Sequence, residues 1–131
     1  MKIEVHGHRG ARGSRPENTL DAFDFALKVG VDAIELDVGV TRDDVPVACH
    51  DLILNPKICL SPNGKPIVKS TPLRKLSYRQ LRKYDCGSLK SEEFPRQRLR
   101  KGARIPSLEE TFEFVLQSKR EAAKSVQFNI E

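Results

Sequence analysis

Tryptophan is absent and only two tyrosines, Tyr78 and Tyr84, occur among the 131 residues. An aromatic-studded surface that stacks on unpaired bases is therefore not expected, and no nucleic-acid partner is predicted. No uninterrupted apolar run approaches the roughly 20 residues that a membrane helix needs, so a transmembrane segment is excluded. Cysteine is scarce and odd in number. Cys49, Cys59 and Cys86 show no C-x-x-C spacing, which argues against a zinc or redox motif and predicts three free thiols rather than a disulfide framework. The opening MKIEVHGHRG has no apolar h-region, so no leader is expected within the chain. Location stays open between the cytoplasm and, if a leader was removed from a precursor, the periplasm or exterior. The length suits one domain, yet falls about a hundred residues short of an eight-stranded α/β barrel.

What is abundant is charge, and it is unevenly placed. The formal net charge is +5. From Lys65 to Arg104 there are 13 Lys or Arg against three acids, Asp85, Glu92 and Glu93, whereas the remainder is net acidic. Such a block attracts phosphates in principle, but the plainer reading is the solvated surface of an insertion.

The rest of the chain alternates strand and helix signals. Residues 2–7 (KIEVHG) alternate apolar and polar and run into the glycine-rich G-A-R-G turn. A helix is predicted over 19–29, with Asn18 as its cap, Ala22, Phe23, Ala26 and Leu27 as its stripe, and Gly30 as its stop. Residues 33–38 and 45–49 read as the second and third strands. Their T-R-D-D link is too short for a helical crossover, which leaves an abbreviated crossover or a tight loop. Residues 52–104 form a Pro-, Gly- and basic-rich irregular insertion, with one helix near 77–84 marked by Ser77 and Gln80 at capping-box spacing. Ser107 and Glu110 announce a further helix to about Arg120, and VQFNIE (126–131) alternates as a fourth strand.

Alternation also places chemistry. Glu35 and Asp37 share one strand face, opposite Ile34, Leu36 and Val38, and Gln127, Asn129 and Glu131 share another. His8 and Arg9 follow the first strand, Asp37 closes the second, His50 and Asp51 follow the third, and Glu131 closes the fourth. Parallel α/β folds build their active sites at such carboxyl ends. Three hard oxygen donors suit Mg²⁺ or Ca²⁺ better than zinc. Two imidazoles beside a cation suit acid and base work, and Arg9 suits a negatively charged substrate such as a phosphate diester. The plainer readings keep His6 structural, Cys49 as core filler, Asp51 as a loop cap and Glu17 as a charge at a helix N-terminus.

The strings HGHRGARGSRPENTLDAF, AIELDVGVTRDDVPVACHD, RIPSLEETFEF and FNIE together resemble the glycerophosphodiester phosphodiesterase family. The resemblance implies a TIM-type barrel of which this chain holds about the first four strands. It implies hydrolysis of glycerophosphodiesters to an alcohol and glycerol 3-phosphate with a divalent cation. His8 then looks like the proton acceptor and His50 the donor, Glu35, Asp37 and Glu131 the metal ligands, Arg9 the phosphate clamp, and Glu17 its support. The family picture has a substrate hydroxyl attack phosphorus, with water opening the resulting cyclic phosphate. Asp44 stands where the family most often has glycine in T-x-D-G. The family pattern also continues beyond Glu131 with a lysine two positions on and about four more strands. Two other readings stay open. One is an inactive half-barrel that binds or assembles, by self-association or with a missing carboxy-terminal half. The other is a phospholipase D-like relative acting on lysophospholipids.

Overall fold

Helix α1 (Leu20–Val29) forms because Ala22, Phe23, Ala26 and Leu27 recur at helical spacing, and all four are buried. Its cap is one residue later than predicted. Thr19, not Asn18, accepts the Ala22 amide through Oγ1 at 3.2 Å. Gly30 ends the helix at φ 87°, donating its amide to Ala26. A computed structural model describes all 131 residues, and the buried face of α1 packs on β2 (Ala33–Leu36) through Ile34 and Leu36.

Strand β2 is the centre of a three-stranded parallel sheet, flanked by β1 (His6–Gly7) and, at the chain's end, by β7 (Gln127–Ile130). Its partners in register run from Ala33↔Gln127 to Leu36↔Ile130 on one side and from His6↔Ala33 to Gly7↔Ile34 on the other. Strand β1 is shorter than the predicted 2–7, because pairing with β2 begins only at Ala33; ahead of it the Val5 amide turns to the Asp32 carboxylate. All-parallel strands with a helical layer agree with the α/β expectation.

The predicted third strand does not join this sheet. Strand β3 (Val38–Val40) continues β2 after the single residue Asp37 and folds back antiparallel on β4 (Pro46–Ala48), in register Val38↔Ala48. The five-residue link from Thr41 to Val45 is long enough for a hairpin and too short for a parallel crossover. Asp44 occupies the left-handed region of that turn at φ 60°, the conformation that makes glycine the easier residue there.

The insertion is better built than its composition suggests. Strand β5 (Ile53–Leu54) pairs antiparallel with β6 (Thr71–Pro72), and α2 is a single turn, Tyr78–Leu81. Both halves of the predicted capping box are present at Ser77 and Gln80. Leu54, Leu73, Leu81 and Ile105 make a second core with Val47 and the three cysteines. The free-thiol prediction fails for two of these: Cys59 and Cys86 form a disulfide, leaving Cys49 free and buried. The pairing arises because Leu60 and Asp85 exchange backbone hydrogen bonds, which lays two distant stretches side by side. Closing a loop of this size contributes roughly 3 kcal/mol by restricting the unfolded chain.

Helix α3 (Leu108–Gln117) starts as predicted, with the Ser107 side chain accepting the Glu110 amide, and stops three residues early. Arg120 lies beyond it and donates to both oxygens of Asp24 on α1, at 2.9 and 2.7 Å. That fork holds the Asp24 carboxyl below its usual range. No helix is long and apolar enough to cross a membrane.

Candidate active site

Parallel register brings the end of β2 level with the end of β7. Val38 N donates to Glu131 O at 2.9 Å and Glu131 N to Leu36 O at 3.0 Å, which locks the two strand ends together. Glu35, Asp37 and Glu131 converge there: each offers a carboxylate oxygen within 4.8 Å of those of the other two. Glu35 and Asp37 are buried and Glu131 is exposed.

The turn after β1 closes over these acids. Arg9 N donates to Glu35 Oε2 at 2.7 Å, and His8 Nε2 stands 3.9 Å from the same oxygen. The Arg9 side chain is buried. Its Nη1 donates to Glu17 Oε2 at 2.9 Å and its Nε lies 3.3 Å from Asp37 Oδ2, while no hydrogen bond uses Nη2. Arg12 Nε binds the other Glu17 oxygen at 3.2 Å. Glu17 is thus a bridge between two arginines, more than a charge at the start of α1.

The β3–β4 hairpin delivers the second histidine. Cys49 N donates to Asp37 O at 3.0 Å, so His50 follows a residue anchored on the acidic strand. Its Nδ1 lies 3.0 Å from Asp51 Oδ1, and Asn55 Nδ2 donates to Asp51 Oδ2 at 2.7 Å. Burial pushes the Asp51 carboxyl up, but the Asn55 and His50 hydrogen bonds outweigh it and the net position is below the usual range. The carboxylate therefore stays charged and fixes the imidazole with Nε2 free. Burial, reinforced by the charges of Asp51, Glu17 and Asp37, pushes the Cys49 thiol up to about 12, so it remains protonated and unreactive. Both histidines are largely exposed, at 60% and 44% of the side chain.

The structure gathers His8, Arg9, Glu17, Glu35, Asp37 and Glu131 into one contact network, and it joins His50 to that network through backbone. No hydrogen bond or ion pair links His8 to His50. Reading the sequence missed two residues. Asn55 carries no periodic or motif signal. Asn18, read as a helix cap, instead donates through Nδ2 to Asp37 Oδ2 at 3.0 Å; the clue was an asparagine in a turn, a residue type that tolerates left-handed backbone.

The acid cluster fits a hard divalent cation. Three carboxylate oxygens crowd a small volume, two of them on buried side chains, and the nearby guanidinium is already engaged by Glu17. A Mg²⁺ or Ca²⁺ ion accepts such all-oxygen donors and offsets their mutual repulsion.

Comparison with known proteins agrees with the residues. The chain is 37% identical over 115 residues to the glycerophosphodiester phosphodiesterase of Caldanaerobacter subterraneus, covering 88% of this chain and 41% of that protein. A Silicibacter pomeroyi DSS-3 protein assigned as a glycerophosphoryl diester phosphodiesterase has a solved structure that superposes with TM-score 0.87 at 32% identity. That match covers 98% of this chain and 45% of the other. A phosphodiesterase from Oleispira antarctica, solved with the product sn-glycerol-3-phosphate, gives TM-score 0.70 at 26% identity over 98% of this chain and 44% of its own. The chain thus spans about two fifths of the length of the curated relatives it matches. With the glycerophosphoryl diester phosphodiesterase family model matching residues 8–131, the chain belongs to that family.

Proposed function

We propose that this chain supplies the amino-terminal arc of a TIM-type barrel that hydrolyses glycerophosphodiesters to an alcohol and glycerol 3-phosphate with a divalent cation. The observation that carries the reading is the meeting of Glu35, Asp37 and Glu131 at parallel strand ends beside Arg9 and His8. Glu35, Asp37 and Glu131 would hold the cation, which supplies positive charge to offset that of the phosphoryl group.

The chain's own residues account for the proton movements. Arg9 Nη2, free of protein partners, binds a phosphate oxygen, while Glu17 holds the guanidinium in place. His8 accepts at Nε2 the proton of the substrate hydroxyl next to the phosphate as that oxygen attacks phosphorus. Glu35 Oε2 stands 3.9 Å from that nitrogen. His50 donates from Nε2 to the departing alcohol oxygen as its bond to phosphorus breaks, with Nδ1 held by Asp51. Water then opens the cyclic phosphate with the two imidazoles in exchanged roles.

The test is hydrolysis of glycerophosphocholine by a protein carrying this chain together with the remaining barrel strands. Turnover should vanish on chelation and return with Mg²⁺ or Ca²⁺. A folded protein that hydrolyses no glycerophosphodiester, with either cation, sinks the reading.

One observation favours a second role for the 131-residue chain alone. Strands β1 and β7 each pair on one side only, and Ile130 and Leu116 are exposed. Open parallel edges seek partners, so this chain should self-associate. A sedimentation coefficient that rises with concentration is expected; a constant monomeric value contradicts it.

A further inference from the structure

Arg9 and Asn18 are two of only three non-glycine residues with positive φ, at 48° and 52°. Both approach the same atom, and Asn18 alone hydrogen-bonds it. Asn18 Nδ2 donates to Asp37 Oδ2 at 3.0 Å, and Arg9 Nε lies 3.3 Å from it. The two are tied to each other as well, since Asn18 N donates to Arg9 O at 2.9 Å. Backbone strain of this kind persists only where surrounding structure enforces it, and it collects at functional sites.

The orientation of the Asn18 amide follows from its partner. A carboxylate only accepts, so the NH₂ group must face Asp37 and the carbonyl must face away. That carbonyl, Oδ1, is buried and has no hydrogen-bond partner. A buried acceptor is costly to leave unmet, so the Asn18 amide is held in this orientation by its bond to Asp37 alone. Asp37 Oδ1, in contrast to Oδ2, receives no hydrogen bond from the protein.

Resting on the cation reading above, we infer that Asn18 is a positioning residue: it occupies Asp37 Oδ2 and so presents Oδ1 toward Glu35 and Glu131 as the cation ligand. Helix capping does not explain Asn18, because Thr19 caps α1. Its side chain is committed instead to one carboxylate, in the manner of outer partners that orient metal ligands.

The test is calorimetric titration of the 131-residue chain with Mg²⁺ and with Ca²⁺, alongside Asn18→Gly, which relieves the backbone strain while deleting the amide. Affinity should fall by about tenfold or more, the usual effect of losing such a partner. The rise in melting temperature produced by saturating cation should shrink as well. A merely structural role lowers the melting temperature with and without cation equally, and that outcome, or an affinity within about twofold of the unsubstituted chain, overturns the proposal. If Asn18→Gly does not fold, the side-chain amide resonances of Asn18 in the unsubstituted chain decide. They should shift along the same isotherm as the heat of binding; unmoved resonances overturn the proposal. Absence of saturable binding by the unsubstituted chain overturns the cation reading, and this inference with it.

Discussion

His50→Ala, in a protein that completes the proposed barrel, should lower turnover of glycerophosphocholine about a hundredfold or more, the scale of a lost general acid or base. His8→Ala does the same. The two losses differ in kind, and the difference tests the assignment. His50 is assigned the proton that the departing alcohol needs, so an acidic leaving group such as a nitrophenol should recover most of the His50→Ala deficit. It should recover little for His8→Ala, whose missing task is to activate the attacking hydroxyl. Cation affinity should change little in either variant, since neither imidazole belongs to the acid cluster. Glu35→Gln, which removes a proposed ligand, should instead raise the cation concentration that half-saturates activity. Equal recovery of both histidine variants, or recovery of neither, would refute the division of roles.

The second large effect concerns the turn that carries His8 and Arg9. Gly10 sits at φ 83°, and a Cβ there would meet Phe23 Cδ1 at 2.8 Å and the Ala22 backbone at 3.0 Å. Its amide is shared between Gly7 O and Glu35 O, both at 3.1 Å, so the turn cannot swing aside without releasing β2. Gly10→Ala therefore combines left-handed strain with a clash against the most buried part of α1. A loss of about 3–5 kcal/mol is expected, a large share of the roughly 5–15 kcal/mol that holds a domain together. Three residues on, Gly13 has nothing within 4 Å of a built Cβ. Gly13→Ala should move stability by no more than about 0.5 kcal/mol, as surface changes do. Urea unfolding of the two variants checks the contrast; comparable midpoints would show that the turn yields where the packing says it cannot.

Local signals were legible in the sequence and long-range ones were not. The Ser77–Gln80 and Ser107–Glu110 caps and the Gly30 stop depend on residues within one helical turn, and each forms as expected. The shared face of Glu35, Asp37 and Glu131 follows from strand alternation, so the acid cluster could be anticipated. Which strands pair is another matter. That β4 turns back on β3 is decided by the short T-R-D-D link competing with a crossover, and the sequence left both routes open. The Cys59–Cys86 bond, across a separation of 27 residues, depends on the Leu60–Asp85 bridge, which no local pattern announces. Asn18 was misread because its turn position resembles a cap; only the fold reveals that Asp37 lies within reach.

The hairpin that brings His50 fixes its place relative to the acids, while the insertion reaches it through Asn55, whose Nδ2 donates to the Asp51 carboxylate beside the imidazole. Asp37 is the single residue between β2 and β3, and its carbonyl holds the residue before His50, so the spacing from acids to imidazole is set by bonded geometry and one rung of hydrogen bonding. The excursion from 52 to 104 leaves after β4 and returns to it, where the Ala48 amide donates to Pro106 O at 2.9 Å. Its exposed loops can drift in sequence and length, as surface loops do, while the paired strand ends that carry the three acids keep their register.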